Sequence, residues 1–113
     1  MTVKMKQNHL FRMVYSRGKC FASPNLITYV VPRRSGGLQV GITTGKKIGN
    51  AVTRSRARRV IRAAFSSLPI DKSASADIVF VARTRTAAMK STEICRFMQS
   101  HLAAAGILTE QKD

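Results

Sequence analysis

Acidic residues are scarce in this sequence. Its 113 residues include five Asp and Glu against twenty Lys and Arg, which gives a formal net charge of +15. Because such an excess of one sign repels itself, it predicts a polyanionic partner, for which RNA, DNA and an acidic membrane surface are the candidates. The five acids are also scattered along the chain, so no pair of carboxylates is placed for acid–base catalysis or a two-metal site.

Cysteine and histidine are rare as well, with two of each. Cys20 and Cys95 have neither a metal-binding nor a redox spacing, and we expect both to be buried free thiols rather than a disulfide. His9 and His101 lie far apart in the sequence, and the phosphate-binding pattern GxxxxGK[ST] is missing. We therefore expect no catalytic residue and no metal site on the protein itself.

Long apolar runs are missing too. No stretch approaches the roughly 20 apolar residues of a membrane span, and the N-terminal segment lacks the apolar core of a signal peptide. We therefore expect a cytoplasmic protein without a membrane partner. Hydrophobic residues still make up 44% of the chain, which is enough to build a core. The length fits one domain, residues 1–113.

Periodicity predicts six elements in the order αββαβα. They are a helix over 7–17, strands over 20–31 and 38–44, a helix over 51–68, a strand over 77–83 and a helix that begins after Ser91. The first two strands are expected to pair as an antiparallel hairpin. This order predicts an α+β fold, an α/β sandwich in which helices pack on a small, mainly antiparallel sheet.

The densest positive charge lies in residues 45–62, GKKIGNAVTRSRARRVIR, which contain no acid. Asn50 is a predicted N-cap, and apolar residues at spacings of three and four give the helix a core stripe. Arg54, Arg58 and Arg62 form a ridge beside that stripe, where they repel one another and oppose the helix dipole. The alternative is a merely solvated face, but such a face usually mixes charges of both signs. The run therefore favours phosphate binding.

Residues 46–62 resemble the signature of the bacterial ribonuclease P protein family. That signature has a lysine pair, Gly-Asn, Ala-Val and an Arg-Asn-Arg core followed by further cations. The segment 11–18, the strands ahead of the motif and the strand DIVFVAR after it also agree with the family. Two positions depart from it: Ser55 stands where the family usually has Asn, and Ala63 where it often has Glu.

The resemblance implies an RNA-binding domain of the ribonuclease P protein type. Such a protein joins a catalytic RNA, and the holoenzyme removes the 5′ leader of precursor tRNA with Mg²⁺ that is bound mainly by the RNA. The RNA would carry the chemistry, so the protein alone would be inactive, and DNA would not be a partner. The residues expected to lie against the catalytic RNA are Lys46, Lys47, Asn50, Arg54, Ser55, Arg56, Arg58, Arg59 and Arg62.

Three aromatic residues match the family's cleft for the single-stranded leader: Phe11, Tyr15 and Tyr29. Stacking on aromatic rings tolerates any base, which suits leaders of varying sequence. Core packing remains the alternative for each ring. The family also implies a left-handed crossover through the basic helix, against the usual right-handed preference. A different nucleic-acid-binding module, a self-sufficient nuclease and a membrane-surface protein are the rival interpretations.

Overall fold

The computed structural model describes residues 2–4, 8–71 and 73–107. They form β1 (Thr2–Lys4), α1 (Asn8–Arg17), β2 (Lys19–Ala22), β3 (Leu26–Pro32), β4 (Leu38–Thr43), α2 (Ala51–Ser66), β5 (Ala76–Ala82) and α3 (Ser91–Ala104). Two short 3-10 turns, Lys46–Ile48 and Thr86–Ala88, precede α2 and α3. The predicted helix start at residue 7 lies outside the described residues.

The strands form one sheet in the order β1-β4-β5-β3-β2. Among the four longer strands, β3 pairs antiparallel with both β2 and β5, while β4 pairs parallel with β5. The α+β architecture with a mainly antiparallel arrangement of these strands is therefore confirmed. The three-residue β1, which was not predicted, adds a parallel pairing with β4.

The predicted hairpin between residues 20–31 and 38–44 is wrong. The first of these segments divides into β2 and β3 around a turn in which the Ser23 N–H donates to the Leu26 carbonyl at 2.9 Å. Strand β5 then lies between β3 and β4 and pairs with both. All of β5 except Val81 is buried. A strand that is apolar on both faces belongs in the middle of a sheet, where both of its edges are paired.

The two faces of the sheet are covered unequally. On one face α2 and α3 close the main core, whose side chains include Leu26, Ile61, Phe80, Ile94 and Met98. The other face carries a smaller cluster, in which Val14 of α1 packs on Val79 of β5. Within the described ranges α1 is the one helix on this second face, where Tyr29, Val31 and Val81 are only half-buried.

Helix α2 connects the adjacent parallel strands β4 and β5. It therefore begins at the end of the sheet where β4 terminates and returns the chain to the start of β5. The left-handed sense of this crossover stays a prediction. No helix within the described ranges is long and apolar enough to span a membrane.

Candidate nucleic-acid interface

The start of α2 is set by Gly49 and Asn50. Asn50 has an extended backbone, and its Oδ1 accepts from the Thr53 N–H at 2.9 Å and from the Thr53 hydroxyl at 3.0 Å. Gly49 has a φ of 140°, and a Cβ at that position would lie 3.1 Å from the Thr53 Cβ. Asn50 thus caps the helix with its oxygen and leaves the side-chain NH₂ group for a ligand.

Helix α2 separates its core face from its cationic face. Ala57, Ile61 and Ala64 are buried against the sheet and α3. Arg54 and Arg58 are half-buried at the flank, whereas the remaining polar residues of the predicted surface are exposed: Ser55, Arg56, Arg59 and Arg62. Along the helix, the predicted ridge of arginines therefore runs from the half-buried Arg54 and Arg58 to the exposed Arg62.

Arg58 is held at the end of β4. Its Nη1 donates to the Thr44 Oγ1 at 2.6 Å. The preceding residue, Thr43, accepts from the Tyr15 hydroxyl at 3.3 Å, which is a longer and weaker contact. Since successive residues of an extended chain point to opposite sides, these two threonines reach the helices on both sides of the sheet.

Lys46 and Lys47 lie in the 3-10 turn between β4 and α2, where both are exposed. They continue the cationic surface beyond the first turn of the helix. The ion pair found among the described residues lies away from α2. In it the Arg33 Nε is 3.1 Å from the Oδ1 of Asp77, near the start of β5, whereas the end of β4 that contacts Arg58 lies beside the end of β5. No arginine of α2 is neutralised by an acid of the described part of the chain.

The three predicted aromatic residues meet on the face of the sheet that α1 covers. Tyr15 and Tyr29 make an edge-to-face contact with ring centroids 5.0 Å apart, and Tyr15 is 40% exposed. Phe11 is half-buried against the Val14–Val79 cluster, so it serves the packing of α1 as well. The structure therefore brings all three together, with Tyr15 the most accessible.

Tyr29 also pairs across the strands with Cys20. A side-chain hydrogen bond to Cys20 raises the pKa of Tyr29, and burial raises it further. Both effects act in the direction that keeps this phenol, which is already protonated at neutral pH, as a hydrogen-bond donor. Both cysteines are free thiols as predicted, but the expected burial is wrong, because Cys20 is exposed and Cys95 is half-buried.

A family model described as Ribonuclease P matches residues 1–106. The chain belongs to the ribonuclease P protein family. The ribonuclease P protein component of Clostridioides difficile is 43% identical over 84 residues, which cover 73% of each chain. That of Oceanobacillus iheyensis is 33% identical over 111 residues, which cover 97% of this chain and 92% of the relative.

Solved ribonuclease P proteins have the same fold. The Staphylococcus aureus protein superposes with a TM-score of 0.78 at 27% identity, covering 94% of this chain and 97% of the other. The Thermotoga maritima protein gives a TM-score of 0.74 at 18% identity, covering 88% and 94%, and supports the fold alone.

Sequence reasoning missed two polar residues of this ribonuclease P protein, Thr43 and Thr44. Each bonds a residue that was predicted to be functional, namely Tyr15 and Arg58. Their signal in the sequence is weak, because a Thr pair at the end of a strand is common on any exposed sheet edge. Their partners are known only once α1 and α2 have been placed against the sheet.

Proposed function

We propose that this chain is the protein subunit of ribonuclease P, which acts with a catalytic RNA to cleave the 5′ leader from precursor tRNA. The observation that carries the proposal is the cationic face of α2 in a member of this family. Exposed arginines without acidic partners among the described residues are suited to phosphate oxygens, which accept charge-assisted hydrogen bonds.

In this proposal α2 and the turn before it bind the catalytic RNA. Phosphate contacts of this kind set affinity and register, and they do not require base recognition. The fixed start of α2 at Asn50 and the bond from Arg58 to Thr44 hold the cations at defined positions on the sheet. Because Arg58 is already oriented by Thr44, it would lose less side-chain entropy on binding RNA than an unbonded arginine would.

The 5′ leader is proposed to lie on the partly open face that carries Tyr15, Tyr29 and Phe11. Edge-to-face contact with Tyr29 restricts the Tyr15 ring while 40% of Tyr15 remains accessible. A base that stacks on such a ring contributes about 1–3 kcal/mol whatever its identity. This surface therefore suits a single strand of variable sequence.

Mg²⁺ is proposed to be held mainly by the RNA, where it supplies charge stabilisation at the reacting phosphate. Within the described ranges no group of three or more His, Cys, Asp and Glu side chains could hold a metal ion. The chain's own residues bind and orient RNA, and the catalytic RNA carries out the reaction.

The proposal is tested with precursor tRNA, the catalytic RNA of the same organism and the purified protein. The protein alone should leave the precursor intact, and with the catalytic RNA it should raise the cleavage rate at low Mg²⁺. An absence of stimulation across a Mg²⁺ titration would reject the subunit assignment.

The leader site is tested in the same assay with two variants. Tyr15→Ala should weaken holoenzyme binding of precursor tRNA by about 1–3 kcal/mol and leave mature tRNA binding unchanged, because mature tRNA has no leader. Tyr15→Phe keeps the ring and should retain most of the affinity. Equal losses for both tRNAs would assign Tyr15 to packing instead.

A further inference from the structure

Val52, in the first turn of α2, is 70% exposed. The other large apolar side chain exposed within the described ranges is Tyr15, at 40%. A β-branched residue is not favoured in a helix, and leaving it in water forgoes the free energy of burial. Single exposed apolar side chains are common on proteins, so what matters is the surface around Val52.

That surface is concave. Ala51, Val52, Ser55, Arg56 and Arg59 line an open pocket of about 380 Å³, which we call the Val52 pocket. Residues at these spacings of three and four share one side of a helix, and this side faces away from the buried Ala57 and Ile61. Its lining combines two aliphatic side chains with one hydroxyl and two guanidinium groups.

These groups together match a nucleotide better than other ligands. A free phosphate would make no favourable contact with the aliphatic side chains. An apolar peptide would bury Arg56 and Arg59 without offering them hydrogen-bond acceptors. An unstacked base, by contrast, packs its face on aliphatic carbons and on a guanidinium plane, while its phosphate pairs with the other arginine. The chain's charge of +15 favours the same class of partner.

We propose that the Val52 pocket holds one unstacked nucleotide of the catalytic RNA. This inference rests on the proposed function and adds to it a contact with a nucleobase. With such a contact the α2 interface is partly apolar. The position of the helix on the RNA is then fixed by one unpaired nucleotide as well as by phosphate contacts. Double-stranded RNA, whose bases are stacked, does not fit the pocket.

The experiment compares Val52→Ser with Ala63→Ser, which introduces the same side chain at another exposed position of α2. The dissociation constant for the catalytic RNA is measured against salt concentration. Val52→Ser should raise it about five- to tenfold with an unchanged salt slope, because no phosphate contact is lost. Ala63→Ser should change neither quantity, whereas Arg56→Ala should lower the slope.

Two further measurements keep the result specific. Val52→Ala, which favours the helix, should also weaken binding, so a loss seen only with Val52→Ser would overturn the proposal as a folding effect. Base-directed chemical probing of the catalytic RNA should find one unpaired base that is protected by the wild-type protein and not by Val52→Ser.

Other outcomes separate the two proposals. Wild-type affinity in both Val52 variants, or an equal loss of binding to a double-stranded RNA, would reject the Val52 pocket alone. Val52-dependent self-association of the protein would assign the pocket to a second copy of the chain and likewise reject the nucleotide. A wild-type protein that does not bind the catalytic RNA at all would contradict the proposed function itself.

Discussion

Arg58 is a predicted RNA contact that also makes a side-chain bond within the protein. The sequence placed it on a ridge of free cations, and in the structure its Nη1 is already bonded to Thr44 at 2.6 Å. A guanidinium has five N–H donors, so one such bond orients the group and leaves its other edge available to phosphate. Arg58 is therefore expected to be a pre-positioned contact.

Arg58→Ala should weaken binding of the catalytic RNA and reduce the slope of log K against log salt by about 0.7–0.9, one phosphate contact. Thr44→Val keeps the charge and removes the bond that orients it, so affinity should fall while the slope stays close to that of the wild type. Titrations at several salt concentrations measure both. An unchanged slope in Arg58→Ala would remove this residue from the interface.

His101 is a buried residue to which the sequence assigned no role. Its Nδ1 lies 2.9 Å from the Thr28 Oγ1 of β3, and its ring stacks on Phe21 of β2 at 6.1 Å. Burial lowers the pKa of His101 below its usual value of 6.5. The folded protein therefore binds this proton less readily than the unfolded chain does.

It follows that the stabilisation linked to neutral His101 is fully present above about pH 6.5 and is lost as the pH falls towards the lowered pKa. The free energy of unfolding should fall in that window by at most about 1.4 kcal/mol per pH unit from this group. Urea unfolding between pH 5 and pH 8 measures it. His101→Gln should flatten the dependence, and identical pH profiles for the two proteins would contradict this account.

At the scale of elements, α2 combines a core face and a cationic face in sixteen residues, and Asn50 caps its start. The cap and the core face follow from local rules, so both could be predicted from the sequence. The start of α3 is a contrasting case, because the sequence predicts a helix that begins after Ser91 and the structure caps it at Lys90. Ser91 is the first residue of that helix, and the Glu93 carboxylate accepts from the Lys90 N–H at 3.1 Å.

Asn50 allows the cap of α2 to be separated from RNA binding. Asn50→Ala should lower the free energy of unfolding by about 1 kcal/mol, because the Thr53 N–H loses its acceptor. Asn50→Asp retains the acceptor and should keep near-wild-type stability, but its negative charge should repel RNA and weaken binding. Wild-type RNA affinity in Asn50→Asp would exclude Asn50 from the interface.

At the scale of the whole molecule, the excess of positive charge opposes folding. Within α2 the pairs Arg54–Arg58, Arg58–Arg62, Arg56–Arg59 and Arg59–Arg62 are three or four residues apart. Like charges at these spacings destabilise a helix by a few tenths of a kcal/mol each, or about 1 kcal/mol together. Salt screens this repulsion, as a bound RNA would.

The free energy of unfolding should therefore rise by a few tenths of a kcal/mol between roughly 10 mM and 150 mM NaCl, because the screening length falls from about 30 to 8 Å and screens only part of the repulsion between side chains about 5–6 Å apart. Urea unfolding at the two concentrations measures the rise. Ala63→Glu, which places an acid four residues after Arg59, should make the rise smaller. A stability that is independent of salt would mean that the cations of α2 are already too far apart to interact.

Local chemistry was sufficient to predict a capped, two-faced helix over 51–68 and a buried strand over 77–83, which the structure gives as 51–66 and 76–82. Each follows from residues close together in the chain. The positions of Phe11, Tyr15 and Tyr29 on one face came from the family resemblance. Their individual exposures required the structure.

The order of the strands follows only from the tertiary structure, and so do the hydrogen-bond partners of the side chains that were predicted to be functional. Every strand offers the same backbone donors and acceptors, so the sequence of β3 does not determine whether β4 or β5 lies beside it. That choice depends on burying both faces of β5, a property of the whole sheet. Because β4 ends against α1 and α2, the same choice brings Thr43 to Tyr15 and Thr44 to Arg58.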